Sequence, residues 1–196
     1  MKQLLIAGFA LCLLVGCKSK KDNKPEVSAA DFFPVNDYLN GQIARLDTSL
    51  YTFLKIETVD GRSDTTAIRN TDVKTYAKDF KELPDLSDSD IKDDYSVDKF
   101  FDDIQNGFVF TYTTKEDHPV QQQQVTVEPA FNEKGQNDIR SVFVDLWQSE
   151  DGVTVRKRMM WEATNFYITT TTEAEGQPQK TKTTKIIWNG FANQTE

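Results

Sequence analysis

The residues able to do covalent or acid–base work are few in kind. The chain has two cysteines, one histidine and 31 Asp and Glu residues. Among these side chains a thiolate is the most reactive nucleophile. Cys17 holds a marked position in LCLLVGCKSKKDNKPE, where an apolar run ends and a basic, polar stretch begins. His118 stands alone in EDHPV. Nucleophilic catalysis would need a Cys partner or a Ser in a nucleophile elbow; no Ser lies in one, and the reading of the two cysteines below leaves no thiol, so His118 reads as an exposed turn residue. DLSDSDIKDDYSVDKFFDD, residues 85–103, is dense enough in carboxylates to raise the question of calcium. A calcium loop of the EF-hand type needs glycine at its sixth position and glutamate at its twelfth. Counted from Asp88, those places hold Asp93 and Lys99. Asp85, Asp88, Asp90, Asp93 and Asp94 therefore read as solvated caps and a charged outer face. Two carboxylates about 5–9 Å apart suffice to cleave a glycosidic bond, but nothing in the sequence selects a pair. A glycine-rich phosphate loop and zinc-ligand spacing are also missing. The expectation is a protein without catalytic residues, metal or cofactor.

Cys17 is a different matter. Met1, Lys2 and Gln3 precede an apolar stretch from Leu4 to Val15, interrupted only by Gly8 and Cys12. It is shorter than the roughly 20 residues a membrane-spanning helix requires, and it suits the apolar core of a secretory signal. Leu14-Val15-Gly16-Cys17 resembles a bacterial lipobox. The resemblance implies that residues 1–16 are a cleaved signal peptide and that the Cys17 sulfur carries a diacylglycerol. It also implies that the new amino terminus can be acylated. Each buried methylene contributes about 0.8 kcal/mol, and one chain binds marginally, so two or three chains hold durably. Such a protein sits on a membrane without spanning it. Cys12 would leave with the signal and Cys17 would be alkylated, so disulfides and thiol catalysis are not expected.

Residues 17–30 carry no hydrophobic periodicity, and their mixture of Lys, Ser, Asp, Asn and Pro reads as a tether. As a coil it spans about 20 Å. Residues 31–196 then form one domain, large enough to bury its own core. The net charge of -8 disfavours nucleic acid as a partner.

Periodicity supplies the elements. In residues 31–49, Asp31 is a possible N-cap with Pro34 in the first turn, and Val35, Leu39, Ile43 and Leu46 share a helix face. Residues 51–59 and 65–69 flank Asp60-Gly61 as a hairpin. Val73, Tyr76, Ala77 and Phe80 predict a helix that Pro84 stops. Val97, Phe100, Phe101 and Ile104 predict a second short helix ending at Asn106-Gly107. Beyond Gly107 the period is two. Segments starting at Phe108, Gln121, Ile139, Gly152, Asn165 and Gln179 are separated by turns at Asn132–Gly135, Asp151-Gly152, Asn165 and Glu175-Gly176. The expected fold class is α+β, an antiparallel meander of about five to six strands with N-terminal helices packed on it.

Trp147, Trp161, Trp188, Phe143 and Tyr167 could line an apolar cleft, and ordinary sheet core is the favoured reading, because strand geometry accommodates aromatics. Met159-Met160-Trp161 projects apolar groups to both sheet faces and so demands cover on both. Thr169–Thr172 opposite Thr181, Thr183 and Thr184 reads as a half-exposed hairpin. Asp64-Thr65-Thr66 resembles a bacterial O-glycosylation sequon.

FFPVNDYLNGQIARLDTSLY, DFKELPDLSD, KRMMWEA and TKIIWNG, in this order, resemble an uncharacterised family of Bacteroidetes-type envelope lipoproteins. The resemblance implies an envelope address, the outer membrane, and carries no activity or site residues. Lys18, Lys20 and Lys21 differ from the acidic export signals of such bacteria, which favours a periplasm-facing position. The functional expectation is a membrane-anchored, non-enzymatic lipoprotein whose domain contacts an envelope protein or the cell wall. The alternative is a carrier of a lipid, a lipoprotein or another hydrophobic ligand. Its curved sheet would enclose a cavity lined by Met160, Trp161 and Tyr167.

Overall fold

A computed structural model describes residues 32–129 and 139–188. The expected signal sequence, Cys17, the expected tether, the expected N-cap Asp31 and the turn expected at Asn132–Gly135 lie outside the described residues. Nine antiparallel strands form one sheet: β1 (Phe53–Val59), β2 (Arg62–Ile68), β3 (Tyr95–Asp102), β4 (Gly107–Thr114), β5 (Val120–Val127), β6 (Ile139–Glu150), β7 (Val153–Glu162), β8 (Asn165–Ala174) and β9 (Lys180–Trp188). Their order is β2-β1-β9-β8-β7-β6-β5-β4-β3. From β3 to β9 each strand pairs with its neighbour in sequence, and the β1–β2 hairpin returns to close on β9. Three α-helical segments accompany the sheet among the described residues, α1 (Val35–Asp47), α2 (Val73–Tyr76) and α3 (Lys78–Lys81), with 3-10 turns at Asn70–Asp72 and Lys92–Asp94.

This corrects the expected α+β class with five or six strands. The molecule is a nine-stranded sheet with little helix. Two causes account for the difference. The Asp60-Gly61 hairpin forms as expected, with both turn residues at positive φ, but it extends the meander's sheet through β1 and β9. The predicted helix around Val97 and Phe101 is strand β3, paired with β4 from Tyr95↔Thr114 to Asp102↔Gly107. Tyr95 decides that segment. Its ring is fully buried and its hydroxyl donates to the Val120 carbonyl at 2.9 Å, a contact a helix would forfeit. Asn106, at φ 49°, then turns a hairpin rather than ending a helix.

α1 buries Val35, Leu39, Ile43 and Leu46, the face its spacing predicts, and Pro34 is its N-cap residue rather than part of its first turn. The helix predicted after Thr71 divides into α2 and α3 around Ala77, burying Val73, Ala77 and Phe80 before Pro84. All three segments pack on one face of the sheet. There the Phe80 ring stands edge-on to Trp161 at 5.2 Å and to Phe166 at 5.6 Å. Trp161 stacks on Phe166 at 4.9 Å, with Trp188 alongside at 5.7 Å. Side chains of this size each stabilise by roughly 1.5–3 kcal/mol when fully buried. Lys157 extends the same face by reaching Asp79 of α3 at 2.6 Å. None of the three helical segments lies on the opposite face.

Candidate functional site

Alternation along β6, β7 and β8 sends Asp145, Trp147, Arg156, Arg158, Met160, Tyr167, Thr169 and Thr171 to the face without helices. Cross-strand register then sets them in rows. Trp147 is opposite Arg156 and Arg156 is opposite Thr171; Asp145 is opposite Arg158 and Arg158 is opposite Thr169. Above these rows lies a cleft of about 300 Å³, lined also by Glu173 and Gln179. That volume is at the lower limit of small-ligand sites.

The cleft's floor is fixed by one buried carboxylate. Asp145, 8% exposed, accepts from Arg156 Nε at 2.9 Å and from Arg156 Nη2 at 2.5 Å. The Trp147 Nε1–H donates to the same carboxylate at 3.2 Å, and the Arg156 guanidinium lies over the Trp147 ring at 4.9 Å. The hydrogen bond to Asp145 raises the Arg156 pKa above its ordinary value, so this cation stays charged. A planar guanidinium is suited both to the paired carboxylate contact and to the aromatic face. The Trp147 ring is thus held in orientation, yet it remains 45% exposed. Arg158 is exposed, and among the described residues no carboxylate pairs with it. Thr169 is hydrogen-bonded to Thr183 at 3.0 Å, and Gln179 donates to Glu173 at 2.5 Å. The site therefore offers an oriented indole, a free guanidinium, hydroxyls and a carboxylate on rigid strands. It can stack on a ring and hydrogen-bond hydroxyl, amide or carboxylate groups.

The three residues expected to line a hydrophobic cavity do not all share a face. Trp161 is buried among Phe80, Phe166 and Trp188 on the helix-covered face. Met160 and Tyr167 are cross-strand partners on the opposite face, half-buried beside Phe143. The adjacent run in β7 does feed both faces, as its sequence requires, and the helices cover only one.

His118 departs from its expected exposure. Its Nε2 lies 2.7 Å from Asp94 Oδ2, and its half-buried ring stacks on Tyr95 at 5.7 Å. The pair ties the β4–β5 loop to the start of β3. Burial, with the nearby Asp94 charge, pushes the Tyr95 phenol up to about 12. The acidic run builds turns: Asp85 accepts from the Ser87 amide at 2.9 Å, and Asp88 from the Asp90 amide at 3.1 Å. Among the described residues no group of His, Cys, Asp and Glu is arranged to hold a metal ion. Asp64, Thr65 and Thr66 lie exposed on edge strand β2. Among those residues, too, no helix is long and apolar enough to cross a membrane, which leaves strand-built membrane proteins unaddressed.

Sequence reasoning passed over Asp145, Arg156 and Arg158. Their signal was the alternation VRKRMMW in β7, where two arginines share one face two residues apart. No family model matches the chain, and neither a curated protein nor a solved structure shows significant similarity to it.

Proposed function

We propose that this chain is a membrane-anchored, non-enzymatic lipoprotein of the bacterial outer membrane, facing the periplasm, whose cleft on the uncovered sheet face holds the cell wall. Lipidation at Cys17 supplies the anchor, and the lysines that follow support the periplasmic orientation. The observation that carries the binding role is the Trp147 ring, exposed to solvent yet locked by Asp145 and Arg156. An aromatic face held in this way costs little ordering entropy when a sugar ring stacks on it. Arg158 and the threonines beside it suit the carboxylates, amides and hydroxyls of a glycan strand with attached peptides. A rigid, charged, open cleft of this kind suits a polymer better than an acyl chain, which would be drawn to a dry cavity.

Cosedimentation with purified peptidoglycan sacculi tests the proposal. The lipidated chain in detergent should pellet with sacculi, and Trp147→Ala should reduce its apparent affinity by at least about tenfold. A wild-type protein that stays in the supernatant at every sacculus concentration overturns the reading.

A further inference from the structure

One apolar surface is left unexplained by the cleft. Of the large hydrophobic side chains exposed among the described residues, Phe100, Phe101, Ile104 and Phe108 gather at the tip of the β3–β4 hairpin, and Ile104 is 97% exposed. The tip is a built protrusion rather than a slack loop. Asp102 Oδ1 accepts the Ile104 and Gln105 amides at 2.9 and 3.0 Å. Arg140 of β6 braces it from the side, donating to the Gln105 carbonyl while paired with Glu128 at 2.9 Å. Phe101 and Phe108 stand edge to face at 5.0 Å. Gly107 is required at the base, because a Cβ there would meet the Val127 carbonyl oxygen at 3.0 Å. Holding four greasy side chains rigidly in water has a cost that burial elsewhere would offset.

The chain's own course indicates what buries them. Phe32 stacks on Tyr112 at 5.0 Å and Phe33 leans on Phe110 at 5.7 Å. The polypeptide therefore reaches the domain on β4, about 13 Å up the strand from Phe108. Residues 18–31 separate this point from Cys17, a span of about 20 Å as a coil and up to about 50 Å fully extended. An anchor on Cys17 keeps the bilayer surface within reach of the hairpin.

We propose that the β3–β4 hairpin tip inserts Phe101, Ile104 and Phe108 into the interfacial layer of the bilayer that holds Cys17. This gives the domain a second foothold beside its acyl chains, and it rests on the reading of Cys17 as lipidated. Two contacts on one surface fix the domain's tilt where a single tether would let it swing.

The test uses the full lipoprotein with Ile104→Cys, reconstituted in phosphatidylcholine–phosphatidylethanolamine vesicles. With Cys17 alkylated, residue 104 offers the only thiol for an environment-sensitive fluorophore. Emission at 104 should shift to the blue and be quenched by shallow spin-labelled lipids at least about threefold more than at Gln177→Cys, a control at the opposite end of the sheet. A label at 104 as wet as the control, on protein that floats with the vesicles, overturns the hairpin proposal and leaves the anchor standing. Protein that fails to float overturns both. A blue shift that appears only after solubilised envelope proteins are added assigns the tip to a protein partner and also overturns it.

Discussion

β7 has two unlike sides. Trp161 and Met159 face the helices, fully buried among Phe80, Phe166 and Val144, while Arg156 and Arg158 on the other side keep Trp147 company in an open cleft. Both sides hold a tryptophan against a fixed neighbour, but the neighbours differ in kind. Trp161 is wedged by rings, and its worth is the area it removes from water. Trp147 is steered by one carboxylate and one guanidinium, and almost half its surface is left for something else. Strand alternation thus divides a buried, ring-packed face from an open, charged one within ten residues of chain.

Substitution should separate the two sides cleanly. The largest effect belongs to Trp161→Ala, which should cost about 3–5 kcal/mol by leaving a cavity beneath Phe80, as measured by urea unfolding. Comparable losses from Trp147→Ala would abolish the contrast, because a half-exposed ring should contribute no more than about 1 kcal/mol to folding. Asp145→Ala should fall between them, at about 1–2 kcal/mol, since it leaves the partly exposed Arg156 without its partner and frees the indole.

Tyr95 sharpens the picture of the buried side. Its folded pKa is raised to about 12, so the neutral phenol is favoured in the fold. The folded state retains this proton where the unfolded chain loses it. The associated stability is full below about pH 10 and is lost as the pH rises towards 12. Tyr95→Phe should flatten that part of the urea midpoint against pH, at the expense of the bond to Val120. The smallest expected change is a gain. Gly41 lies in α1 with open space where a Cβ would go, so Gly41→Ala should add about 0.5–1 kcal/mol without touching the cleft.

How far the sequence foretold all this follows from the range of its signals. Local periodicity was readable wherever one face had to be apolar: Val35, Leu39, Ile43 and Leu46 marked α1, and alternation marked β4 to β9. It misled at Phe100-Phe101, because two adjacent aromatics fit a helical stripe as well as the two sides of an exposed hairpin tip. Joining β1 to β9 pairs residues more than a hundred positions apart, and no local pattern encodes such a pairing. The cleft was hidden for a similar reason. Asp145 and Arg156 look like ordinary surface charges until cross-strand register brings them together above Trp147. The even mixture of apolar and charged residues in VRKRMMW did require two dissimilar faces, and its arginines were the unused clue.

Titrating the full chain with a soluble disaccharide–peptide fragment of peptidoglycan, with binding followed by calorimetry, tests the central claim most directly. The account predicts saturable binding that Trp147→Ala weakens by at least about tenfold while the protein stays folded at the titration temperature, with Arg158→Ala weakening it less. Equal affinity in wild type and Trp147→Ala, or no heat of binding at all, would contradict it.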